Sequence, residues 1–279
     1  MPIANERGKL IFRKMDRELL RLSSEQEADN VHGFRTTTRR LQTLLELTPG
    51  RHRNQKKLMK MLDRIRRRAG KVRDIDVQLA ALRSLKVPLE PRRKTQLMQH
   101  LIEARAGHER KLRKLLKPDN LCELRKRLRR TAREIQLDSI RDPLALAREI
   151  LESVAPSNGP VTEESLHRCR LAVKRARYAA EFATKSAEST QFMAQLKRLQ
   201  DTLGNWHDWM TLTDTAREQF GEMNQSSLVA ALHNVTRGKF RQAAEAVSGW
   251  QVNGNGTRSR SGKNVVKTAA PATQVETAA

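Results

Sequence analysis

The sequence predicts an all-α protein, and three observations carry that prediction. Apolar residues recur at spacings of three and four along almost the whole chain. No alternating run of the kind a half-buried strand needs interrupts them. The breaks between periodic stretches carry helix punctuation: Pro49-Gly50, Pro88, Pro118, and Asp142 followed by Pro143.

Taken in order, the periodicity predicts a first helix over Ile3 to Leu22. The segment Ser23 to Asp29 is polar, and a second helix runs from there to about Leu47, where Pro49-Gly50 stops it. A long third helix covers about Arg51 to Leu85 and ends at Lys86-Val87-Pro88. The fourth begins near Pro91 and reaches Leu116, just before Lys117-Pro118. Further helices fit Asn120–Gln136 and Pro143–Val154, the latter opened by a capping Asp142 with proline at the first helical position. The run APSNGP at 155–160 is the best interior boundary. Helices then fit Glu163–Thr184, Ser189–Phe220 and Gln225–Val247. From Gln251 onward aromatic residues cease and Gly, Ser, Thr and Ala dominate, so 251–279 reads as a disordered tail carrying Arg258, Arg260, Lys263 and Lys267. A helical domain over 1–250, with halves at about 3–136 and 143–250, is the resulting organisation.

The 279 residues are enough for one large helical domain or two medium ones, each with a proper core. Lys and Arg number 55 against 31 Asp and Glu, a formal net charge of +24 with a pI near 11.0. Such an excess gathers anions around the molecule and strains its compact state by self-repulsion. An anionic partner relieves that strain, and nucleic acid, an anionic membrane and inorganic polyphosphate are the candidates. Two cysteines, Cys122 and Cys169, have no metal-type spacing and point to a reducing compartment. Charges at Glu6, Arg7 and Lys9 precede any apolar run, which argues against a signal peptide. No stretch approaches the ~18 apolar residues of a spanning helix. A cytoplasmic location without a membrane partner is expected.

Two segments share a pattern. His32-Gly33-Phe34-Arg35 followed by Arg39-Arg40, and His167-Arg168-Cys169-Arg170 followed by Lys174-Arg175, both read H-x-x-R-x-x-x-(R/K)-R. Downstream, Gly70 to Asp74 and Gly204 to Asp208 both read G-x-x-x-D. His32 precedes Asp74 by 42 residues and His167 precedes Asp208 by 41. A shared pair of motifs at a shared separation is what an internal duplication leaves. On a helix, His and the cations at +3 and +7 fall within an arc of about 60° and span about 10 Å. Val31, Phe34, Leu41 and Leu45 lie opposite, as do Leu166, Cys169, Ala176 and Ala180 in the second copy. One face therefore packs, and the other presents an imidazole and two cations in a row.

The third helix adds Lys57, Lys60, Arg64, Arg67 and Lys71 at spacings of 3, 4, 3 and 4, on a stripe away from Leu58, Met61, Leu62 and Ile65. Like charges so placed cost a helix about 0.2–0.5 kcal/mol per pair. On a single helix this would be only a solvated face; the same device on several helices points to a shared anion. The second copy keeps Arg198 opposite Arg64 but has Ala194 and Asp201 opposite Lys60 and Arg67, so the basic surface should favour the N-terminal half.

These two H-x-x-R-x-x-x-(R/K)-R helices, VRDIDV at 72–77 and LQDTLGNWHD at 199–208 resemble the CHAD family, over roughly residues 3 to 247. The resemblance implies two four-helix-bundle-like halves related by a pseudo-twofold repeat around a basic central cleft or channel. It also implies binding of inorganic polyphosphate and association with polyphosphate granules. Carried over by position, the ligand-facing residues are His32, Arg35, Arg39, Arg40, His167, Arg170, Lys174 and Arg175, joined by Arg64 and Arg198. Gly33 and Trp206 depart from the family pattern, and neither stands in the basic row.

The residue types suit such a ligand. Arg grips phosphate oxygens in pairs, Lys offers a compact charge, and a row of both lets a repeating anion shift register. A histidine among cations should have a depressed pKa that a bound polyanion raises, and its role would be a hydrogen-bond donor. Asp74 and Asp208 are expected to orient nearby arginines, Tyr178 and Trp206 to pack, and Cys169 to be inert. Non-specific nucleic-acid binding through phosphates is the alternative, although only 4% of residues are aromatic and none interleaves with the basic rows. A phosphate-transferring enzyme, or an accessory to one, would need a Walker loop, an acidic metal cluster or a nucleophile elbow. None is found, and a non-enzyme without cofactor or metal is expected.

Overall fold

The computed structural model describes residues 2–50, 53–86, 91–137, 140–154 and 160–260. Every regular element among them is a helix: α1 Pro2–Ser24, α2 Ala28–Leu47, α3 Arg53–Ser84, α4 Pro91–Arg113, α5 Pro118–Glu134, α6 Pro143–Glu152, α7 Glu163–Ala180, α8 Ala187–Phe220 and α9 Ser227–Arg260. Consecutive helices pack on one another, α1 on α2, α2 on α3 and α3 on α4, and the same order recurs as α6 on α7, α7 on α8 and α8 on α9. Between the two series α2 meets α7 and α3 meets α8, while α5 lies against α1 and α3.

The predicted apolar faces are the buried ones. Val31, Phe34, Leu41 and Leu45 on α2 join Leu58, Leu62 and Ile65 of α3, Met15 and Leu19 of α1, and Leu124 and Leu128 of α5 in a first core. Leu166, Cys169, Ala176 and Ala180 on α7 join Leu196, Leu199, Leu203 and Trp206 of α8 and Ala243 of α9 in a second. A third core joins the halves: Ile75, Leu79, Leu82, Leu97 and Leu101 from α3 and α4 meet Leu212, Ala216, Leu228, Val229 and Leu232 from α8 and α9. The long helices α3 and α8 thus take part in one private core each and in the shared one. At about 25 cal/mol per Å² of apolar surface removed from water, that shared core is what fixes one half against the other.

Helix starts follow local hydrogen bonding. Asp142 caps α6 by accepting from Leu144 N–H, as the Asp-Pro pair predicts. Thr162 and Ser165 form a reciprocal capping box on α7. Ser186 and Ser189 form another on α8, so this helix begins at Ala187, two residues before the expected Ser189, which is the N3 member of the box. The tail expected from Gln251 begins inside α9, which continues to Arg260. Extension of a helix already nucleated and docked is cheap, even through Gly- and Asn-containing sequence. Positions 261–279 lie outside the described residues, as do 155–159 of the expected boundary and Asp138-Ser139.

Candidate functional site

The motif helices α2 and α7 face each other, and α3 and α8 bring the two G-x-x-x-D segments beside them. Arg35 on α2 donates from Nη1 to the Gly70 carbonyl at 3.1 Å and to Asp74 Oδ1 at 3.3 Å, both on α3. Its guanidinium lies over Gly70, where a Cβ would stand 3.8 Å from it. Asp74 therefore orients an arginine of the basic row, as the sequence led us to expect.

The second copy is built differently. Arg170 on α7 is half-buried, and its Nε is buried with no hydrogen-bond partner among the described residues. Lys174, one turn on, makes no hydrogen bond or ion pair with any described residue. Burial holds the Lys174 ammonium down to about 8, with Arg170 and Arg35 repelling it and Asp208 and Asp74 partly offsetting them. The same Asp74, Asp208 and Arg35 act on Arg170. Arg35 of the first half thus shares one cluster with Arg170 and Lys174 of the second. Burial pushes the Asp208 carboxyl above its usual range, against the pull of Arg170 and Lys174. Two carboxylates do not neutralise the cations gathered there, which include Arg73.

Position +8 of the motif has another task. Arg40 on α2 forms a two-pronged ion pair with Glu181 at the end of α7, at 2.5 and 3.2 Å. Arg175 on α7 reaches Glu46 on α2 at 3.8 Å. Each glutamate stands fourteen residues after its histidine, and each arginine eight, so the two contacts exchange the same positions between the halves. Such reciprocity is the mark of an isologous contact. Arg40 and Arg175, expected to face the ligand, thus each meet a glutamate across the α2–α7 contact, Arg40 closely and Arg175 at longer range; neither glutamate was foreseeable, because nothing in a helical stripe reports a neighbour from another helix.

Arg39 lies beside Arg66 and Asp63 of α3 and, among the described residues, donates a hydrogen bond only to Gln42, at 3.3 Å. Partial desolvation, then repulsion from Arg73 and Arg35, lowers the pKa of His32, whose ring stays largely open to solvent. The charge-repulsion direction is the one expected, although desolvation contributes more. His167 on α7 stacks obliquely on His207 of α8, ring centres 5.5 Å apart. Burial and the adjacent Arg170 push His207 down to about 3, so it is a neutral imidazole, and its Nδ1 is buried without a partner among the described residues.

His207 and Arg73 were not singled out from the sequence. They occupy the same place in the repeated motif, the residue immediately before each aspartate, and that shared position was the available signal. Lys57, Lys60, Arg64, Arg67 and Lys71 are all exposed along α3, and Arg198 is exposed on α8. Lys71 of that stripe lies near His108 of α4, which also feels Asp74. Trp206 is fully buried, and burial raises the Cys169 thiol to about 11, in keeping with the packing and inert roles expected of them. No group of metal-ligating side chains occurs among the described residues. No helix among them is long and apolar enough to cross a membrane.

An all-helical protein whose two helical series share a cation-rich cluster is the class this architecture defines. The chain belongs to the CHAD domain family, whose model matches residues 9–217. Two solved structures share the fold. The CHAD domain from the plant Ricinus communis is 19% identical, with a TM-score of 0.62 over 85% of this chain and 86% of that one. PptA from Streptomyces chartreusis is 14% identical, with a TM-score of 0.63 over 90% of this chain and 97% of that one. No curated protein matches the sequence.

Proposed function

We propose that this protein binds inorganic polyphosphate, without catalysing its turnover, in a basic cleft between two duplicated halves. The observation that carries the reading is the pair Arg170 and Lys174, two half-buried cations with no hydrogen bond between Arg170 Nε and any described residue and no ion pair for Lys174. Removing a charge from water costs several kcal/mol when no counter-charge meets it, so folded proteins seldom leave such groups unmatched unless a ligand supplies the match. Arg35 and Arg39 extend the cluster along α2, and the exposed stripe Lys57, Lys60, Arg64, Arg67 and Lys71 offers a longer anion a track along α3. Polyphosphate fits a row of this kind because every repeat presents the same oxygens. Association with polyphosphate granules follows from the same affinity.

The test is a titration with long-chain polyphosphate of the wild type beside Arg35→Ala/Arg39→Ala/Arg170→Ala/Lys174→Ala. The variant should lose binding at least about 100-fold, equivalent to roughly 0.7 kcal/mol for each of four charge-assisted contacts, while its helical circular dichroism stays. Competition with duplex DNA at fixed salt separates polyphosphate from nucleic acid. Preference for DNA, or unchanged affinity in the variant, would overturn the assignment. Release of orthophosphate from polyphosphate with Mg²⁺ present would overturn the non-catalytic part.

A further inference from the structure

The cluster holds a lysine of unusual chemical character, and its neighbours are anion grips. Lys174 sits on α7 one turn beyond Arg170, with Arg35 of α2 and Asp208 of α8 close enough to act on its charge. It is partly open to solvent, and no described residue occupies its nitrogen with a hydrogen bond. Arg170 Nε is buried and has no hydrogen-bond partner among the described residues.

We infer that Lys174 is a self-acylation site for acyl phosphates, with Arg170 and Arg35 docking the phosphate and Lys174 receiving the acyl group. This rests on reading the cluster as an anion site. An acyl phosphate is a mixed anhydride of a carboxylic and a phosphoric acid, and a small one is no longer than the distance one helical turn spans, about 5.4 Å. A guanidinium that binds its phosphate oxygens therefore leaves the carbonyl carbon within reach of a residue at +4. The neutral amine of Lys174 attacks that carbon, and a C–N bond forms. The C–O bond to phosphate breaks, its electron pair leaves with orthophosphate, and the proton lost from nitrogen goes to the departing phosphate. Nothing is oxidised or reduced. Attack requires the unprotonated amine, and burial with Arg170 beside it makes that form well populated near pH 8. Exposed lysines such as Lys60, although Arg64 stands one turn away, lack the desolvation. The amide that results carries no charge, so acylation would subtract a cation from the polyphosphate cluster.

The experiment treats the full chain with acetyl phosphate at pH 8 and follows each lysine by peptide mass spectrometry. Lys174 should react roughly tenfold faster than Lys60, the gain expected of a held reagent and an activated amine together. Arg170→Gln should remove most of that preference. A parallel reaction with the N-hydroxysuccinimide ester of acetate, which carries no phosphate, should be much less sensitive to Arg170→Gln. Equal slowing of both reagents would mean that Arg170 only tunes the amine, and docking would be refuted. Lys174 reacting no faster than Lys60 in the wild type would overturn the inference outright, whether or not polyphosphate binds. A preference that depends on Arg170 but is not suppressed by saturating polyphosphate would keep the inference and sink the polyphosphate reading.

Discussion

Lys174 and Arg35 occupy neighbouring places in one cluster, yet their situations differ because one has a carboxylate and the other lacks it. Arg35 is tied to Asp74 and to a backbone carbonyl, whereas Lys174 is half-buried and bonded to no described residue. Replacing an unmatched buried cation with an apolar side chain of similar length relieves its desolvation, so Lys174→Met should raise stability at pH 7 by about 1–2 kcal/mol while weakening polyphosphate binding. The sign of the pH dependence follows from proton counts. Lys174 titrates near 8 in the fold and at the ordinary 10.5 in the unfolded chain. Below pH 8 both states hold the proton and the burial penalty is complete; between 8 and 10.5 the unfolded chain holds more, so wild-type stability rises with pH. The advantage of Lys174→Met should therefore shrink across that window, and urea unfolding at pH 7 and pH 10 measures it. An advantage that stays constant with pH would show that Lys174 does not titrate there. The row itself was legible in the sequence, since residues at +3 and +7 share a helical face whatever surrounds them. Which arginine Asp74 would hold, and that Glu181 would hold one at all, was not legible, because both acids come from elsewhere in the fold.

At the scale of the helix, the two motif helices are joined by contacts of unequal strength at equivalent positions. Glu181 is largely buried and takes both Arg40, in a fork, and Arg177 at 2.8 Å, while Glu46 meets Arg175 at 3.8 Å with Arg175 mostly exposed. Geometry and burial both favour the first pair. Arg40→Ala should cost about 1–2 kcal/mol, the range for losing charge-assisted hydrogen bonds where Arg177 still partners the carboxylate. Arg175→Ala should cost no more than about 0.5 kcal/mol, as exposed ion pairs do. Equilibrium urea unfolding of the two variants checks the asymmetry, and equal losses would contradict it. Neither change should approach the loss of polyphosphate affinity expected from the four-residue variant, since neither arginine belongs to the unmatched pair Arg170 and Lys174. The helices themselves were readable because proline, glycine and a 3.6-residue period are local signals. Their ends were less so: the helix expected from Ser189 begins at Ala187, because Ser186 accepts from the Ser189 amide and is the cap, two hydroxyls that a sequence presents as equals. The extension of α9 to Arg260 was unreadable for a related reason, since composition reports propensity and not the docking that nucleates a helix.

For the molecule as a whole, the excess of cations is a standing stress that a polyanion and simple salt relieve by different routes. With a net charge of +24, much of the apo protein's electrostatic energy is repulsive. Sodium chloride screens that repulsion over a Debye length that falls from about 30 Å at 0.01 M to about 3 Å at 1 M, so the apo melting temperature should climb with salt. On the proposed function, polyphosphate acts by binding the folded state. At a free concentration about 1,000 times Kd it adds about 4 kcal/mol, which for a domain of this size corresponds to a rise of about 10 °C. That increment should decline as salt is added, because each ion pair made with the polyanion releases counterions. Substituting Lys57, Lys60, Arg64, Arg67 and Lys71 with glutamine should flatten the decline by about 3 to 4 in the slope of log K against log salt, taking about 0.7 per contact for a single-stranded polyanion. The same variant should keep the unmatched pair Arg170 and Lys174, and hence measurable binding at low salt. Melting curves of wild type and this variant, with and without polyphosphate across a salt series, read all three effects at once. The wild-type curves should converge as salt rises. If they stayed parallel, the ligand's contribution would not be electrostatic, and the cations counted at the outset would have no part in it.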